Sequence, residues 1–286
     1  MRTFTMDIWE GYSYKGETED GFRPSLDTYV LKSDAPRPGV LILPGSGYRQ
    51  CSPREAEAVA LRFNASGCHA FVLWYSCAPR RHPVPILDCC RAFTIIRENA
   101  ASWKLDSRRL AMMGFSAGGH LALSETLFHT RDFAAAPGIT PSLCRADALM
   151  LCYPVISSGD FAHRDSFLLL LGENPDPALL ELLSLEKQIE PSARENNPLP
   201  PVFLWHTCAD QAVPVENSLL LAGALRRAGV SLEMHIFPEG KHGLSLATAE
   251  TRGEDPDNID PHAAQWFGLC INWLNLHFTR NFLINI

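Results

Sequence analysis

The chain has 286 residues, of which 46% are hydrophobic and 20% are charged, and its formal net charge is -7 at pH 7. This length and composition suit one large domain with a buried core, although length alone would also allow two domains. The negative charge argues against a nucleic-acid partner, because binding to a phosphate backbone requires a basic surface.

The sequence also argues against a membrane protein. No stretch approaches the about 20 consecutive apolar residues that a transmembrane helix requires. Residues 1–21 include acidic and aromatic side chains and lack the apolar segment of a signal peptide. We therefore expect a cytoplasmic protein without a membrane partner, and we leave open whether it forms a homo-oligomer.

The nine cysteines form no CxxC pair and no spacing that is typical of zinc ligands. Four of them, Cys68, Cys152, Cys208 and Cys270, lie within apolar runs. This placement predicts buried, reduced thiols rather than disulfides.

The first clear elements are an apolar run at residues 39–44 and an amphipathic segment at residues 52–67. The run ends in Pro-Gly and predicts a buried parallel strand. In the segment that follows, Ser52 and Glu55 are spaced as a capping box, and Pro53 suits the first helical position. We therefore predict a helix over residues 52–67.

Strands and helices continue to alternate along the rest of the chain, which predicts a mostly parallel sheet with helices on both faces. Further strands are predicted at residues 68–75, 108–114, 146–155, 201–207 and 232–238. Further helices are predicted at residues 85–101, 121–128, 215–229 and 266–278.

Residues 157–200 interrupt this alternation and are rich in proline, acidic residues and leucine. Within them, residues 176–189 predict a helix with Asp176 as its N-cap. We interpret the segment as a small cap or lid inserted into a single domain that spans residues 1–286. The alternative is a long surface connection without a role in binding.

The strongest local motif is Gly114-Phe115-Ser116-Ala117-Gly118, a G-x-S-x-G between a predicted strand and a predicted helix. In this context the serine occupies a strained strand-to-helix turn that exposes its hydroxyl. The glycines on both sides, Gly114 and Gly118, leave room for the neighbouring backbones. The N–H of Ala117 begins the helix and would face a developing oxyanion. Ser116 is therefore the candidate nucleophile.

A serine nucleophile requires a base, and the α/β-hydrolase arrangement places an acid and then a histidine later in the chain. Asp210 follows the strand at residues 201–207, and His242 follows the strand at residues 232–238. Both positions lie at the carboxyl ends of strands, where such sheets bind ligands.

Other residues compete for these two roles. Glu216 and Glu239 are carboxylates near Asp210 and His242 in the sequence, respectively. His120, His206, His235 and His277 lie within or at the ends of predicted elements. We expect His206 and His235 to be packed or to support the catalytic residues, and His120 to support the turn at Ser116. His277 belongs to the last predicted helix and is expected to be structural.

The loop at residues 44–48, Pro-Gly-Ser-Gly-Tyr, follows the first predicted strand. Its small residues would let the backbone approach a substrate carbonyl, so the N–H of Gly45 or Ser46 is expected to be the second oxyanion donor. The alternative is a tight turn without contact to a ligand.

Several separate motifs together resemble one family. They are PGSGY followed by REAE, GFSAGGH, YPV, the D-x-x-V-P-V-E-N-S of residues 210–218, and FPEGKHGLSLA. This set resembles the bacterial acetyl esterase and acetylxylan esterase type of α/β-hydrolase, which includes bifunctional feruloyl/acetyl esterases. The resemblance extends over most of the chain.

The resemblance implies hydrolysis of carboxylic esters, often acetyl esters of xylo-oligosaccharides, without a metal or an organic cofactor. It assigns Ser116 as nucleophile, Asp210 as acid and His242 as base. The sequence departs from the family pattern at Ser46, where a third glycine is common, and at Lys241, which places a cation before the histidine. A serine peptidase and a catalytically silent binding protein remain the alternative functions.

Overall fold

The computed structural model describes residues 1–194 and 198–283, and within them the strands form one eight-stranded sheet. The strands are β1 (Arg2–Asp7), β2 (Ser25–Val30), β3 (Arg37–Leu43), β4 (His69–Trp74), β5 (Leu105–Phe115), β6 (Ala148–Cys152), β7 (Val202–Thr207) and β8 (Leu232–Phe237). Their order is β1-β2-β4-β3-β5-β6-β7-β8. Strand β2 is antiparallel to both of its neighbours, and the other neighbouring pairs are parallel.

Helices cover both faces of the sheet. They are α1 (Glu57–Ala65), α2 (Val84–Glu98), α3 (Ala100–Trp103), α4 (Ala117–Phe128), α5 (Arg164–Leu171), α6 (Pro177–Leu182), α7 (Ile189–Arg194), α8 (Glu216–Arg227) and α9 (Trp266–Leu283). No helix in residues 1–194 or 198–283 is both long and apolar enough to cross a lipid bilayer.

Two hydrophobic cores result, one on each face of the sheet. Leu41 and Leu43 of β3 pack into the core that includes α2, α4 and α8, whereas Val40 and Ile42 pack into the core that includes α1 and α9. Successive side chains of a strand point to opposite faces, so a strand buried on both faces reads as a continuous apolar run. The predicted α/β architecture with a mostly parallel sheet is therefore confirmed.

The predicted capping box at the start of the first helix is wrong. Ser52 makes no side-chain capping hydrogen bond, a 3₁₀ turn spans Pro53–Glu55, and α1 begins only at Glu57. The Glu55 carboxylate is buried and bonds to groups distant from the helix end. The helix therefore lacks the reciprocal capping bond because its glutamate is used elsewhere.

The inserted segment at residues 157–200 contains α5, α6 and α7, and its residues 195–197 lie outside the described part of the chain. The Asp176 carboxylate accepts a hydrogen bond from the N–H of Ala178 at 2.9 Å, so the predicted N-cap is confirmed. The single helix predicted over residues 176–189 is instead divided into α6, a 3₁₀ turn at Leu185–Lys187 and α7.

All nine cysteines are free thiols, and most of them are buried. Cys208 is exposed, which corrects its predicted burial. It lies just beyond the end of β7, where the chain has left the sheet, so the apolar run before it does not extend the core to its side chain.

Candidate active site

The nucleophile motif forms the turn between β5 and α4. Ser116 has a φ of 51° and a ψ of -118°, a backbone conformation that a non-glycine residue adopts only where its surroundings hold it. A Cβ on Gly114 would collide with the Gly118 backbone, and one on Gly118 would collide with the Leu43 carbonyl. The two glycines are therefore required by close backbone packing, as the motif predicts.

The structure brings Ser116, His242 and Asp210 together in one hydrogen-bonded chain. The Ser116 Oγ lies 2.8 Å from His242 Nε2, and His242 Nδ1 lies 2.6 Å from Asp210 Oδ2. Ser116 is 126 residues from His242 in sequence, and β5, β7 and β8 bring the three loops to the same edge of the sheet. This geometry suits proton transfer from the hydroxyl to the imidazole.

The Asp210 carboxylate accepts hydrogen bonds from three further donors in addition to His242 Nδ1. Its Oδ1 accepts hydrogen bonds from the N–H groups of Ala212 and Val213, both at 2.9 Å, and its Oδ2 also lies 3.2 Å from His206 Nε2. Burial acts to raise the pKa of Asp210, but the hydrogen bonds from His206 and His242 outweigh it and hold the pKa well below its usual range. The carboxylate is therefore ionised wherever the protein is folded under ordinary conditions.

His206 supports Asp210 from the end of β7. Its Nε2 also lies 2.9 Å from the Val213 carbonyl, and its Nδ1 lies 2.7 Å from Ser218 Oγ. Because both neighbours of Nε2 are acceptors, Nε2 carries the proton and donates to Asp210. The sequence leaves open whether His206 is packed or supports the catalytic residues, and its contact with Asp210 favours the second alternative.

The other candidates for the acid and base lie elsewhere. The carboxylate that bonds His242 is that of Asp210, whereas Glu216 begins α8 and Glu239 is exposed. His120 is buried, where its Nδ1 lies 2.8 Å from the Tyr48 hydroxyl and its Nε2 lies 3.0 Å from the Leu183 carbonyl. It thereby ties α4 to the 44–48 loop and to the inserted segment.

The loop at residues 44–48 lies directly against the nucleophile. A Cβ on Gly45 would lie 2.6 Å from the Phe115 carbonyl oxygen and 2.8 Å from Ser116 Cβ. The N–H of Gly45 donates to Glu55 Oε2 at 2.7 Å. Gly45 therefore does not present its N–H to a substrate in this structure, and of the two predicted loop donors Ser46 remains.

Ser46 has a φ of 108°, and Gly47 and Tyr48 also have positive φ angles. The N–H of Ala117, the other predicted donor, is the first of α4, and the first N–H groups of a helix have no partner within it. A helix N-terminus and a loop in this conformation offer amide donors to an anion.

A buried hydrogen-bond network connects the 44–48 loop with the loop after β8 that contains His242. Glu55 Oε1 accepts a hydrogen bond from the Tyr153 hydroxyl at 2.7 Å, and the hydroxyl accepts one from the N–H of Ser245 at 2.9 Å. The Tyr153 ring packs edge-on against His242, with ring centroids 5.1 Å apart. Burial raises the pKa of Glu55, although its hydrogen bonds to Tyr153 and Gly45 act in the opposite direction. Sequence reasoning missed both Glu55 and Tyr153 as parts of the site.

We expect Glu55→Ala to lower kcat for p-nitrophenyl acetate by about 10- to 100-fold with a smaller change in KM. The substitution leaves the Gly45 N–H and the Tyr153 hydroxyl without their buried acceptor, so both loops can shift relative to Ser116. Glu57→Ala, which changes the exposed neighbouring glutamate, is the matched control and should retain full activity. An unchanged kcat in Glu55→Ala would show that the network does not position the site.

The inserted segment reaches the same loop. A Cβ on Gly47 would lie 3.6 Å from Ser166 Oγ and 3.7 Å from His163 Cε1, and both side chains belong to the α5 region. Burial lowers the pKa of His163, and the charge of His242 acts in the same direction. Lys241, in contrast, forms an ion pair with Asp255. The insertion thus borders the candidate site, and its role as a lid remains a prediction.

Comparison with known proteins is consistent with this arrangement. A protein-family model described as BD-FAE matches residues 26–225. The chain is 37% identical over 254 residues to endo-1,4-beta-xylanase B of Butyrivibrio fibrisolvens and 28% identical over 253 residues to an acetylxylan esterase of Xylanibacter ruminicola. Each match includes 87% of this chain, but the chain spans only 39% and 49% of those two proteins.

Among solved structures, an acetyl ester-xyloside bifunctional hydrolase from Caldicellulosiruptor lactoaceticus is similar over nearly its whole length. The TM-score is 0.84, the sequence identity is 39%, and the match covers 96% of each chain. Together with the family match over residues 26–225, this likeness confirms the resemblance that the motifs indicated. The chain therefore belongs to the BD-FAE family, among the α/β-hydrolases of the acetyl esterase and acetylxylan esterase type.

Proposed function

We propose that this protein is a serine carboxylesterase that removes short acyl groups, acetyl first, from xylo-oligosaccharides or related sugars. The observation that carries the proposal is the continuous hydrogen-bonded chain from Ser116 through His242 to Asp210. Nucleophile, base and orienting acid are the parts that acyl transfer through a serine requires.

In the first step, His242 Nε2 accepts the proton of Ser116 as Oγ attacks the ester carbonyl carbon. Asp210 bonds to His242 Nδ1 and so keeps the proton on that nitrogen, which leaves Nε2 free to act as the base. The carbonyl oxygen becomes an oxyanion, for which the N–H groups of Ala117 and Ser46 are the proposed donors. The tetrahedral intermediate collapses as the bond between the acyl carbon and the sugar oxygen breaks, and His242 donates its proton to that oxygen, which leaves as the sugar hydroxyl.

In the second step, His242 removes a proton from water as the water attacks the acetyl group on Ser116. The same amides stabilise the second oxyanion, and acetate leaves as the proton returns to Ser116 Oγ. The ionised state of Asp210 supports both steps, because a carboxylate beside the imidazole stabilises the imidazolium that forms in each.

The substrate class rests on the relatives rather than on a pocket residue. The chain is similar in sequence to an acetylxylan esterase and similar in structure to an acetyl ester-xyloside bifunctional hydrolase. The fold and the triad serve many acyl substrates, so the choice of acetylated xylo-sugars requires a direct test.

The test compares kcat/KM for acetylated xylo-oligosaccharides, for p-nitrophenyl esters of increasing acyl length, and for a peptide p-nitroanilide. We expect acetyl esters to be preferred over long-chain esters by at least about 10-fold and peptide cleavage to be negligible. A preference for long acyl chains would remove the acetyl assignment but keep the esterase. Faster cleavage of the peptide would make the protein a peptidase, and inactivity toward all three substrates would support a silent binding protein.

A further inference from the structure

A buried cluster of metal-ligand atoms lies apart from the triad, on the face of the sheet covered by α2 and α4. Cys90 belongs to α2, Glu125 belongs to α4, and Cys144 follows a 3₁₀ turn at Pro141–Leu143. All three side chains are fully buried, and one ligand atom from each lies within 4.8 Å of the other two. Glu125 is nine residues beyond Ser116 in the chain, which is about 13 Å along a helix axis.

The Glu125 carboxylate lacks the donors that a buried acid requires. Its Oε1 is approached by the Cys90 thiol at 3.8 Å, a weak donor at long range. Its Oε2 has no hydrogen-bond partner within the described part of the chain. A buried carboxylate oxygen without a partner is costly, and an ion bound between Glu125 and the two thiols would give this carboxylate a partner.

We propose that Cys90, Cys144 and Glu125 bind a structural zinc ion. Zinc accepts cysteine thiolates and carboxylate oxygens, whereas magnesium and calcium select oxygen ligands alone. The two thiols would lose their protons to solvent as the ion binds, and the Glu125 carboxylate would supply the third ligand.

The ligand atoms of the cluster all lie within 4.8 Å of one another, and the distance from Cys90 to Glu125 is that of a tetrahedral zinc site. Zinc–sulfur bonds of about 2.3 Å place the ligand atoms of a tetrahedron roughly 3.5–3.8 Å apart. The distance from Cys90 Sγ to Glu125 Oε1 is 3.8 Å, and Thr94 Oγ1 lies 3.8 Å from Cys144 Sγ. Thr94 Oγ1 already donates to the Cys90 carbonyl at 3.0 Å and accepts from the Thr140 N–H at 3.1 Å, so a water molecule would complete the coordination of the ion.

The surroundings also suit the charge of such a site. Two thiolates and one carboxylate around a zinc ion leave a single negative charge. The Arg97 guanidinium acts electrostatically on both Cys144 and Glu125, its Nη1 donates to the Leu143 carbonyl at 2.6 Å, and its Nη2 forms an ion pair with Asp147 at 3.0 Å. The ion would join α2, α4 and the 3₁₀ turn at Pro141–Leu143, and it would stabilise the core without touching the substrate.

The experiment measures metal in the intact protein after expression in zinc-supplemented medium and removal of loose metal with EDTA. We expect about one zinc per chain by elemental analysis in the wild type, and less than about a tenth of that in Cys144→Ser and Glu125→Gln. Cys89→Ser is the matched control, because Cys89 is the adjacent buried thiol and its Sγ lies 3.7 Å from Met112 Sδ. This variant should retain the zinc.

A second measurement uses protein expressed with cobalt in place of zinc. We expect thiolate-to-cobalt charge-transfer absorption in the wild type and in Cys89→Ser. Wild-type protein without zinc and without this absorption overturns the proposal, whether or not the variants fold. Equal metal contents in the wild type and in a folded Glu125→Gln or Cys144→Ser also overturn it.

Discussion

Ser116→Ala is expected to lower kcat for p-nitrophenyl acetate by about 10⁴- to 10⁶-fold, because it removes the only atom that forms the proposed acyl-enzyme bond. The hydroxyl lies 2.8 Å from His242 Nε2, where the imidazole can take its proton, and alanine leaves no atom at that position. The backbone should be preserved, since alanine adds no atoms to the turn between β5 and α4. Initial rates at saturating ester measure the effect, and a fluorophosphonate probe should label the wild type but not the variant.

Ser124→Ala is the matched control for this substitution. Ser124 lies in the same helix, α4, and its buried hydroxyl has no hydrogen-bond partner within the described residues. This variant should retain wild-type kcat and fluorophosphonate labelling. Loss of activity in both variants would indicate damage to α4 rather than loss of a nucleophile.

Asp210→Asn is expected to lower kcat by about 10³- to 10⁴-fold while the protein stays folded. The N–H groups of Ala212 and Val213 both donate to Oδ1, so the amide oxygen of asparagine should occupy that position. Its NH₂ group then faces His242 Nδ1 in place of Oδ2. Because the amide is a donor, it favours the imidazole tautomer with its proton on Nε2, which cannot accept the Ser116 proton.

The matched control for the acid is Glu239→Gln, which neutralises an exposed carboxylate near His242 in the sequence. It should leave kcat unchanged, because Asp210 is the carboxylate that bonds His242. If Glu239→Gln and Asp210→Asn lost activity to a similar extent, a general loss of negative charge would explain both results. Retention of full activity by Asp210→Asn would remove Asp210 from the mechanism.

The sequence predicts the centre of the fold well because strands buried on both faces are continuous apolar runs. Strands β3 to β8 each overlap a predicted strand. Strands β1 and β2 were not predicted, since they mix polar and apolar residues and lie at the antiparallel edge of the sheet. Half-buried edge strands carry a weaker pattern than strands of a parallel core.

Spacing also identified the residues that the structure brings together at Ser116, because G-x-S-x-G and the chain order of acid and histidine follow from backbone requirements. The spacing of Ser52 and Glu55, three residues apart, predicted a capping box, and this prediction was wrong. Whether a glutamate bonds to its own helix end or to the Gly45 N–H depends on tertiary contacts, here with Tyr153. For the same reason, the choice between the amides of Gly45 and Ser46 could not be read from the sequence.

Release of acetate most directly tests whether the protein removes acetyl groups from xylo-sugars with Ser116 as its nucleophile. Wild type and Ser116→Ala are incubated with acetylated xylo-oligosaccharides, and the acetate and the deacetylated sugars are quantified together. We predict that the wild type releases acetate in step with the loss of sugar acetyl groups, and that Ser116→Ala releases none above the rate without enzyme. Equal release by both proteins would contradict the mechanism, and release from p-nitrophenyl acetate but not from the sugars would contradict the substrate.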